Sequence, residues 1–490
     1  MDYVPTIGLE IHAELKTRTK MFCSSSNDPD EKRPNVNICP VCLAHPGTLP
    51  VINREAVRHV LRVGVALGGK LADYTEFDRK NYFYPDLPKG YQISQYEYPL
   101  VLGGELNGVT LTRVHLEEDT ASSIHPEGKQ NASYGAGDEG TTVIDFNRAG
   151  VPLMELVTEP VISSAAEAGA FARELQLLLR YLDASEANME KGEMRVEANV
   201  SLGQKSKSKS QKLGTKVEIK NLNSFRAMER AVEYEIKRQK EVLERGERVV
   251  QETRGWDEGK QATFPQRSKE GSADYRYFPD PDLPALQLSE LSELSRECLE
   301  AGLPELPWQR RTRYLAMGIK EEDARMLTAE PMLADFFDSV LKAIPSSVTP
   351  QMASNYTTND LVKLIRDTKG RDSEYITDIP ISARNFSIIL QLIGEKKVSS
   401  RIAKDLLQES FSSDRDPAEL ATERSLFLGQ KASDLSPIVE ATLQKHAKVV
   451  EDYRAGKVSA LQYLIGETMK ATRGTADPNV LRELIISAIT

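Results

Sequence analysis

The chain has 490 residues, 40% of them hydrophobic and 28% charged, with a net charge of −10 and a pI near 5.4. This suits about three soluble domains; it excludes a membrane-spanning chain, for want of a long apolar run, and a disulfide scaffold, since there are four Cys. The acidity also argues against a protein coated in nucleic acid, though not against a local basic surface.

Met1-Asp2-Tyr3-Val4-Pro5 has no basic region followed by an apolar core, so no secretory signal is expected and the cytoplasm is the expected location. The first element, Gly8-Leu9-Glu10-Ile11-His12, alternates polar and apolar residues. A β-strand has a side-chain period of two, so Glu10 and His12 share a face. Cys23, Cys39 and Cys42 follow with spacing C-x15-C-x2-C. Cys39-Pro40-Val41-Cys42 resembles half of a zinc knuckle, but a structural zinc site takes four ligands. His45 is a candidate fourth ligand, and three reduced thiols in a loop are the alternative. A helix is expected from Asn53 to about Leu67, ending at Gly68-Gly69.

Asp78 to Tyr96 fits neither a helix nor a long strand. It is aromatic, holds Pro85 and Pro88, and carries Arg79, Lys80 and Lys89. Such a loop is expected to pack and to shape a site. Asp274-Tyr275-Arg276-Tyr277-Phe278-Pro279 has the same character. Arg113-Val114-His115-Leu116-Glu117 is a second alternating strand, followed by Glu118 and Asp119. Gly135-Ala136-Gly137-Asp138-Glu139-Gly140 matches a dinucleotide fingerprint, but a strand rather than a helix is expected after it, so the match is rejected. No Walker A loop is present. A nucleotide would therefore be held by metals and side chains.

Ser163 or Ser164 is expected to cap a helix through Leu182, and Ser224 a second one stopping near Gly246. Between them Glu193, Arg195, Glu197, Asn199 and Ser201 form the polar face of the longest alternating strand, and Lys216, Glu218 and Lys220 that of another. Gly203 to Gly214 reads as a flexible loop joining the two. A solvated sheet face explains any one of these strands. Together they mix carboxylates with Arg, Lys, His and Asn, as in the lining of a polar cavity that holds Mg²⁺ and phosphate.

Pro279, Pro281 and Pro284 then break regular structure, and helical signals replace the alternation. The expected domains are 1–290, a catalytic domain, 291–404, a helical domain, and 405–490, a tail. From 445 to 473 the tail holds six Lys or Arg against three acids, a local +3 in an acidic chain.

The motifs Gly8-Leu9-Glu10-Ile11-His12, Lys20-Met21-Phe22-Cys23, Cys39-Pro40-Val41-Cys42 and Pro46-Gly47-Thr48-Leu49-Pro50 occur in order. The Asp78–Tyr96 loop, His115-Leu116-Glu117-Glu118-Asp119, Lys220-Asn221-Leu222-Asn223-Ser224, Gln251-Glu252-Thr253-Arg254 and Asp274 to Pro279 follow, with a tail from Gly456-Lys457 through Met469-Lys470 to Pro478. Together they closely resemble the family of aspartyl/glutamyl-tRNA amidotransferase B subunits, GatB, over essentially the whole chain. The resemblance implies an α+β fold: a glutamine-synthetase-like cradle followed by an all-α helical domain and an all-α tail. It implies ATP-dependent phosphorylation of the side-chain carboxyl of misacylated Glu-tRNA(Gln) or Asp-tRNA(Asn), then displacement of phosphate by ammonia. A partner amidase, the family's A subunit, would release that ammonia from glutamine, and a small C subunit would clasp the other two. This chain lacks an amidase Ser-Ser-Lys signature. A non-catalytic tRNA-binding assembly protein is the alternative; the archaeal-type E subunit carries an inserted domain for which 490 residues leave little room.

Within that frame Glu10, His12, Glu117 and Glu118 are expected around Mg²⁺, with His12 orienting a water if it does not bind the ion. Arg195, Lys216 and Lys220 are expected to offset phosphate charge. Glu197, Glu218 and Asn199 are expected to bind the nucleotide with its metal. Lys80, Tyr82 and Lys89 are expected along the ammonia path, and Lys457, Lys470 and Arg473 on the tRNA. Zinc at Cys23, Cys39 and Cys42 is weakened by Ser25, which stands where Cys-bearing members have a further Cys.

Overall fold

The computed structural model describes residues 3–124, 142–204, 213–268, 275–369, 375–428, 432–472, 476 and 478–489. Arg473, Asp274, most of the Gly203–Gly214 loop and the Gly135–Gly140 match lie outside the described residues. The chain forms two compact units, Met1–Leu306 and Pro307–Thr490.

The first unit is built on a large, mainly antiparallel sheet. Its seven longer strands are β1 (Tyr3–Glu14), β2 (Val109–Glu118), β3 (Pro152–Thr158), β4 (Met194–Gln204), β5 (Val217–Leu222), β6 (Glu252–Asp257) and β7 (Ala262–Ser268). They lie in the order β7-β6-β5-β4-β1-β3-β2, with two-residue strands continuing beyond β2. Only the β5–β6 pair among these is parallel. The alternation read from the sequence is what the sheet uses. In β1, Ile7, Leu9, Ile11 and Ala13 are buried on one face while Glu10, His12 and Glu14 stand on the other. In β4, Met194, Val196, Ala198 and Val200 are buried and Arg195, Glu197 and Asn199 share the more open face.

Helices cover the apolar face. The helix α1 (Arg54–Ala66) starts where Asn53 Oδ1 accepts from the backbone N–H groups of Glu55 and Ala56. The helix α2 (Ala165–Tyr181) is capped by Ser164, and α3 (Phe225–Glu244) by Ser224. Each cap satisfies N–H groups that a helix start leaves unpaired. Phe171, Leu175, Leu178 and Leu179 of α2 and Met228, Ala231 and Val232 of α3 are fully buried. Each large side chain of this kind contributes about 1.5–3 kcal/mol by leaving water.

The aromatic loop and the segment after residue 274 join. Phe278 and Pro279 pair with Arg79 and Asp78, and the same strand, Asp78–Asn81, pairs with Tyr91–Ser94. Arg79 Nε donates to Asp280 at 2.9 Å and its Nη2 donates to Asp282 at 2.9 Å, so this cation is used to pin the two segments. Tyr96 stacks on Tyr277 with ring centres 4.4 Å apart.

The second unit is helical; among the described residues no strand follows Leu286–Gln287. It holds two hydrophobic cores. One runs from Tyr314 to Ala421 and the other from Leu435 to Ile489. The expected limit at 290 falls inside the first unit, which ends at Leu306. The expected limit at 405 falls within the helix Ser400–Ser413, whose Ile402, Ala403, Leu406, Leu407 and Phe411 belong to the first helical core. The break between the cores lies instead after Phe427, the last residue packed on the first core, and before Leu435.

Candidate active site

The polar faces of four adjacent strands meet in cross-strand rows. Arg195 on β4 pairs with His12 on β1, His12 with Glu155 on β3, and Glu155 with His115 on β2. The neighbouring row is Glu197, Glu10, Val157 and Arg113. Side chains directly opposite on one face are close enough to interact. Here they enclose a cavity of about 440 Å³ in the first unit.

His12 is the hub. Its Nε2 lies 3.4 Å from Glu155 Oε2, 3.7 Å from Glu117 Oε1 and 3.9 Å from Glu10 Oε1. Burial alone would push the imidazole down. The Glu155 hydrogen bond and the charges of Glu155, Glu117 and Glu10 outweigh it and raise His12 to about 9. Glu155 is shared: His115 Nε2 is also 3.4 Å from its Oε2. The two histidines hold Glu155 well below the usual carboxylate range despite burial. Glu10 is raised, by burial first and then by the charge of Glu155.

Cations rim this group. Lys80 Nζ is 3.5 Å from Glu117 and 5.3 Å from the centre of the Tyr275 ring. Burial opposes its charge, but Glu117 and the other anions around it raise Lys80 above the usual lysine range. Lys220 Nζ donates to Glu197 at 2.7 Å and lies 3.9 Å from Glu218. Lys216, exposed, lines the same cavity, as do Tyr82, Glu197 and Glu218. Arg195 is committed to Asp119 at 2.5 Å, and Arg148 stands 3.6 Å from the same carboxylate.

The structure thus gathers Glu10, His12, Glu117, Arg195, Glu197, Lys216, Glu218, Lys220, Lys80 and Tyr82 around one cavity. Three expected residues are elsewhere. Glu118 is not part of the carboxylate group with Glu10, His12 and Glu117. It follows Glu117 on β2, so its side chain leaves by the opposite face. There it accepts from Lys89 Nζ at 2.7 Å and from the Ile93 N–H at 2.9 Å. Lys89 goes with it; both line a second cavity of about 350 Å³ with Phe22, Cys23, Cys42 and Tyr91. Asn199 does not line the first cavity, and its Oδ1 is buried without a hydrogen-bond partner. In the second unit, Lys457 and Lys470 are exposed and paired with Asp452 and Glu467.

Glu155 is the residue that sequence reasoning missed. It sits in Val151-Pro152-Leu153-Met154-Glu155-Leu156-Val157, which reads as a buried strand. The signal available was a lone carboxylate in an apolar run, which is costly unless it is paired.

The zinc expectation meets a poor donor set. The Sγ atoms of Cys23, Cys39 and Cys42 lie within 4.8 Å of one another, and among the described residues no histidine or carboxylate joins them. The fully buried Lys20 ammonium lies 3.8 Å from Cys42 Sγ instead. Three thiols beside a cation do not fit a four-ligand structural zinc site.

Comparison with known proteins agrees with the motifs. Residues 5–292 match the GatB/GatE catalytic domain and residues 335–489 match the GatB domain. The chain is 44% identical to the B subunit of the aspartyl/glutamyl-tRNA(Asn/Gln) amidotransferase of Thermus thermophilus, over 99% of both chains. It is 42% identical to that of Thermomicrobium roseum over 100% of this chain and 99% of the relative, and 40% identical to that of Gloeothece citriformis over 99% and 97%. Identity at this level over the full length, with both domain models in order, shows that the chain belongs to the family of aspartyl/glutamyl-tRNA(Asn/Gln) amidotransferase B subunits.

Proposed function

We propose that this chain is the carboxyl-activating component of a glutamine-dependent carbon–nitrogen ligase acting in translation. The observation that carries this is the convergence of Glu10, Glu117 and Glu155 on His12, from three strands, under a rim of Lys80, Lys216, Lys220 and Arg113. A carboxylate is a poor electrophile and ATP is polyanionic, so bringing them together needs fixed cations and a metal. Carboxylate oxygens suit a hard ion: Glu10 and Glu155 come together beside His12, and Glu117 and Glu155 beside His115, as two overlapping donor groups for Mg²⁺. Mg²⁺ supplies neutralisation of phosphate charge when bound.

The chain's own residues do the rest. Lys220 and Lys216 face the side where ATP phosphates are held, next to Glu197 and Glu218. Arg195, fixed by Asp119, holds a second anionic group at the far end of the row. The substrate is the side-chain carboxyl of Glu-tRNA(Gln) or Asp-tRNA(Asn), activated as an acyl phosphate. Ammonia then attacks, and phosphate leaves with the acyl carbon–oxygen electron pair. Lys89 and Glu118, behind the sheet, with Lys80 and Tyr82 in front of it, mark the ammonia path. The sheet is a cradle of the glutamine-synthetase type. Ammonia comes from the partner amidase, with the small third protein completing a cytoplasmic heterotrimer. The last helical core, from Leu435 to Ile489, binds tRNA largely by shape, with Lys457, Lys470 and Arg473 at phosphates.

The test is co-purification of the chain with its amidase and small partners, followed by assay with Mg·ATP, glutamine and each misacylated tRNA. Amide-bearing tRNA and ADP are expected from the complex and not from the chain alone. Efficient glutamine-dependent amidation by the isolated chain, or amidation without ADP, would contradict this reading.

A further inference from the structure

The thiol cluster beside the second cavity is not used by the reaction above. Its centre is Cys42 Sγ. The Cys39 backbone N–H donates to it at 3.1 Å, the Lys20 ammonium stands 3.8 Å away, and the Ser25 hydroxyl lies at 3.8 Å. Lys20 is fully buried, and its other contact is the Phe146 carbonyl at 3.1 Å. A buried ammonium needs an anion, and Cys42 Sγ, with the Lys20 ammonium and the Cys39 N–H against it and the Cys39 carbonyl oxygen at 3.5 Å, is the group placed to be one. The Cys23 S–H and Lys20 hold the Cys42 thiol well below its ordinary value, while Cys23 itself is pushed up. Cys39 Sγ is 3.8 Å from Cys42 Sγ across a two-residue turn.

We propose that Cys42 and Cys39, with Lys20 in place of a fourth ligand, form a metal-free, peroxide-sensitive dithiol site. The Cys42 thiolate attacks one oxygen of hydrogen peroxide. The S–O bond forms, the O–O bond breaks, and hydroxide leaves and is protonated to water. The Cys39 sulfur then attacks the Cys42 sulfenic acid, its proton passing to the departing hydroxide. The S–S bond forms, the S–O bond breaks, and a second water leaves. Two thiols lose two electrons and one peroxide gains them. The cavity lined by Cys23 and Cys42 gives peroxide its approach.

The disulfide would be felt nearby. A Cβ placed on Gly150 would meet Cys42 Cβ and Lys20 Cδ at 3.6 Å and Glu118 Oε2 at 3.9 Å. Oxidation removes the anion that Lys20 faces, one backbone away from the Lys89–Glu118 pair.

The test uses the full-length chain purified with no added metal, and it does not depend on the amidation reading. Zinc is measured by mass spectrometry, and cysteines are mapped after graded peroxide. Zinc well below one per chain is expected, with a Cys39–Cys42 disulfide that dithiothreitol reverses. It should form at least about tenfold faster than oxidation of exposed Cys298. In Cys39→Ser, Cys42 should stop at a sulfenic acid trapped by dimedone, with Cys298 unchanged in rate. One tightly held zinc per chain, oxidation of Cys298 ahead of the cluster, or a Cys23–Cys42 bridge instead would each overturn the proposal.

Discussion

His12 and Glu155 stand directly opposite each other on adjacent antiparallel strands, with Nε2 and Oε2 3.4 Å apart. On its other side Glu155 faces His115, so one carboxylate joins two imidazoles from two strands. This cross-strand row, rather than any contiguous motif, builds the centre of the cavity.

Glu117 and Glu118 are neighbours in sequence with opposite roles. Glu117 faces His12 and Lys80, while Glu118 is held by Lys89 behind the sheet. Glu118→Gln should therefore leave ATP-dependent carboxyl activation within about threefold of wild type while lowering amide formation by about tenfold or more. Glu117→Gln should lower both together. The check is ADP release beside amide yield on misacylated tRNA. Equal loss of activation in the two variants would show that Glu118 acts at the first cavity after all.

Glu14 gives a pH dependence with a definite sign. Burial first, then the charge and hydrogen bond of Asp119, raise it to about 8 against the pull of Arg148 and Arg195. An unfolded glutamate releases its proton near about pH 4.3. The folded chain keeps the proton that the unfolded chain has lost between these values. The resulting stabilisation is complete below about pH 4.3 and is lost as pH rises through about 8. Glu14→Gln should flatten the fall in stability between about pH 4.3 and 8 by roughly 1–2 kcal/mol, reduced from the full shift because Asp119 and two arginines share the charge. Calorimetry of the first unit's transition reads this. An unchanged slope would exclude Glu14 as the group that titrates.

Two truncations separate tRNA binding from folding. Ending the chain at 430 removes the last core, Leu435 to Ile489, and keeps the preceding one. Ending it at 404 also strips Leu406, Leu407, Phe411, Leu420 and Ala421 from that preceding core. Both should weaken tRNA binding by about tenfold or more. The shorter chain should also lose stability, at about 1.5–3 kcal/mol for each large buried side chain removed. Filter binding across a salt range, with urea melts of each chain, distinguishes them. Unchanged tRNA affinity in the chain ending at 430 would end the tail assignment.

Local pattern carried much of this. The period of two in Glu10–His12 and in Arg195–Asn199 gave the polar face, and Asn53, Ser164 and Ser224 gave three helix starts, because these are properties of neighbours in sequence. The same period separates Glu118 from Glu117, and charge similarity obscured it. Glu155 was hidden because β3 is buried on both faces, this acid included, with only Val157 half-buried, so its partners come only from strands distant in sequence. The limit at 405 failed for a related reason: helix periodicity shows which face is apolar but not which helices share a core.

The most direct test of the site is Glu155→Gln in the assembled complex, supplied with ammonium so that glutamine hydrolysis is bypassed. Glutamine keeps the volume and removes the charge that both histidines face. The account predicts that ADP formation and amidation fall together by about 10²–10³-fold, with misacylated tRNA bound as before. Near-normal amidation by this variant in saturating Mg²⁺ would contradict the placement of the active site at the His12–Glu155 row.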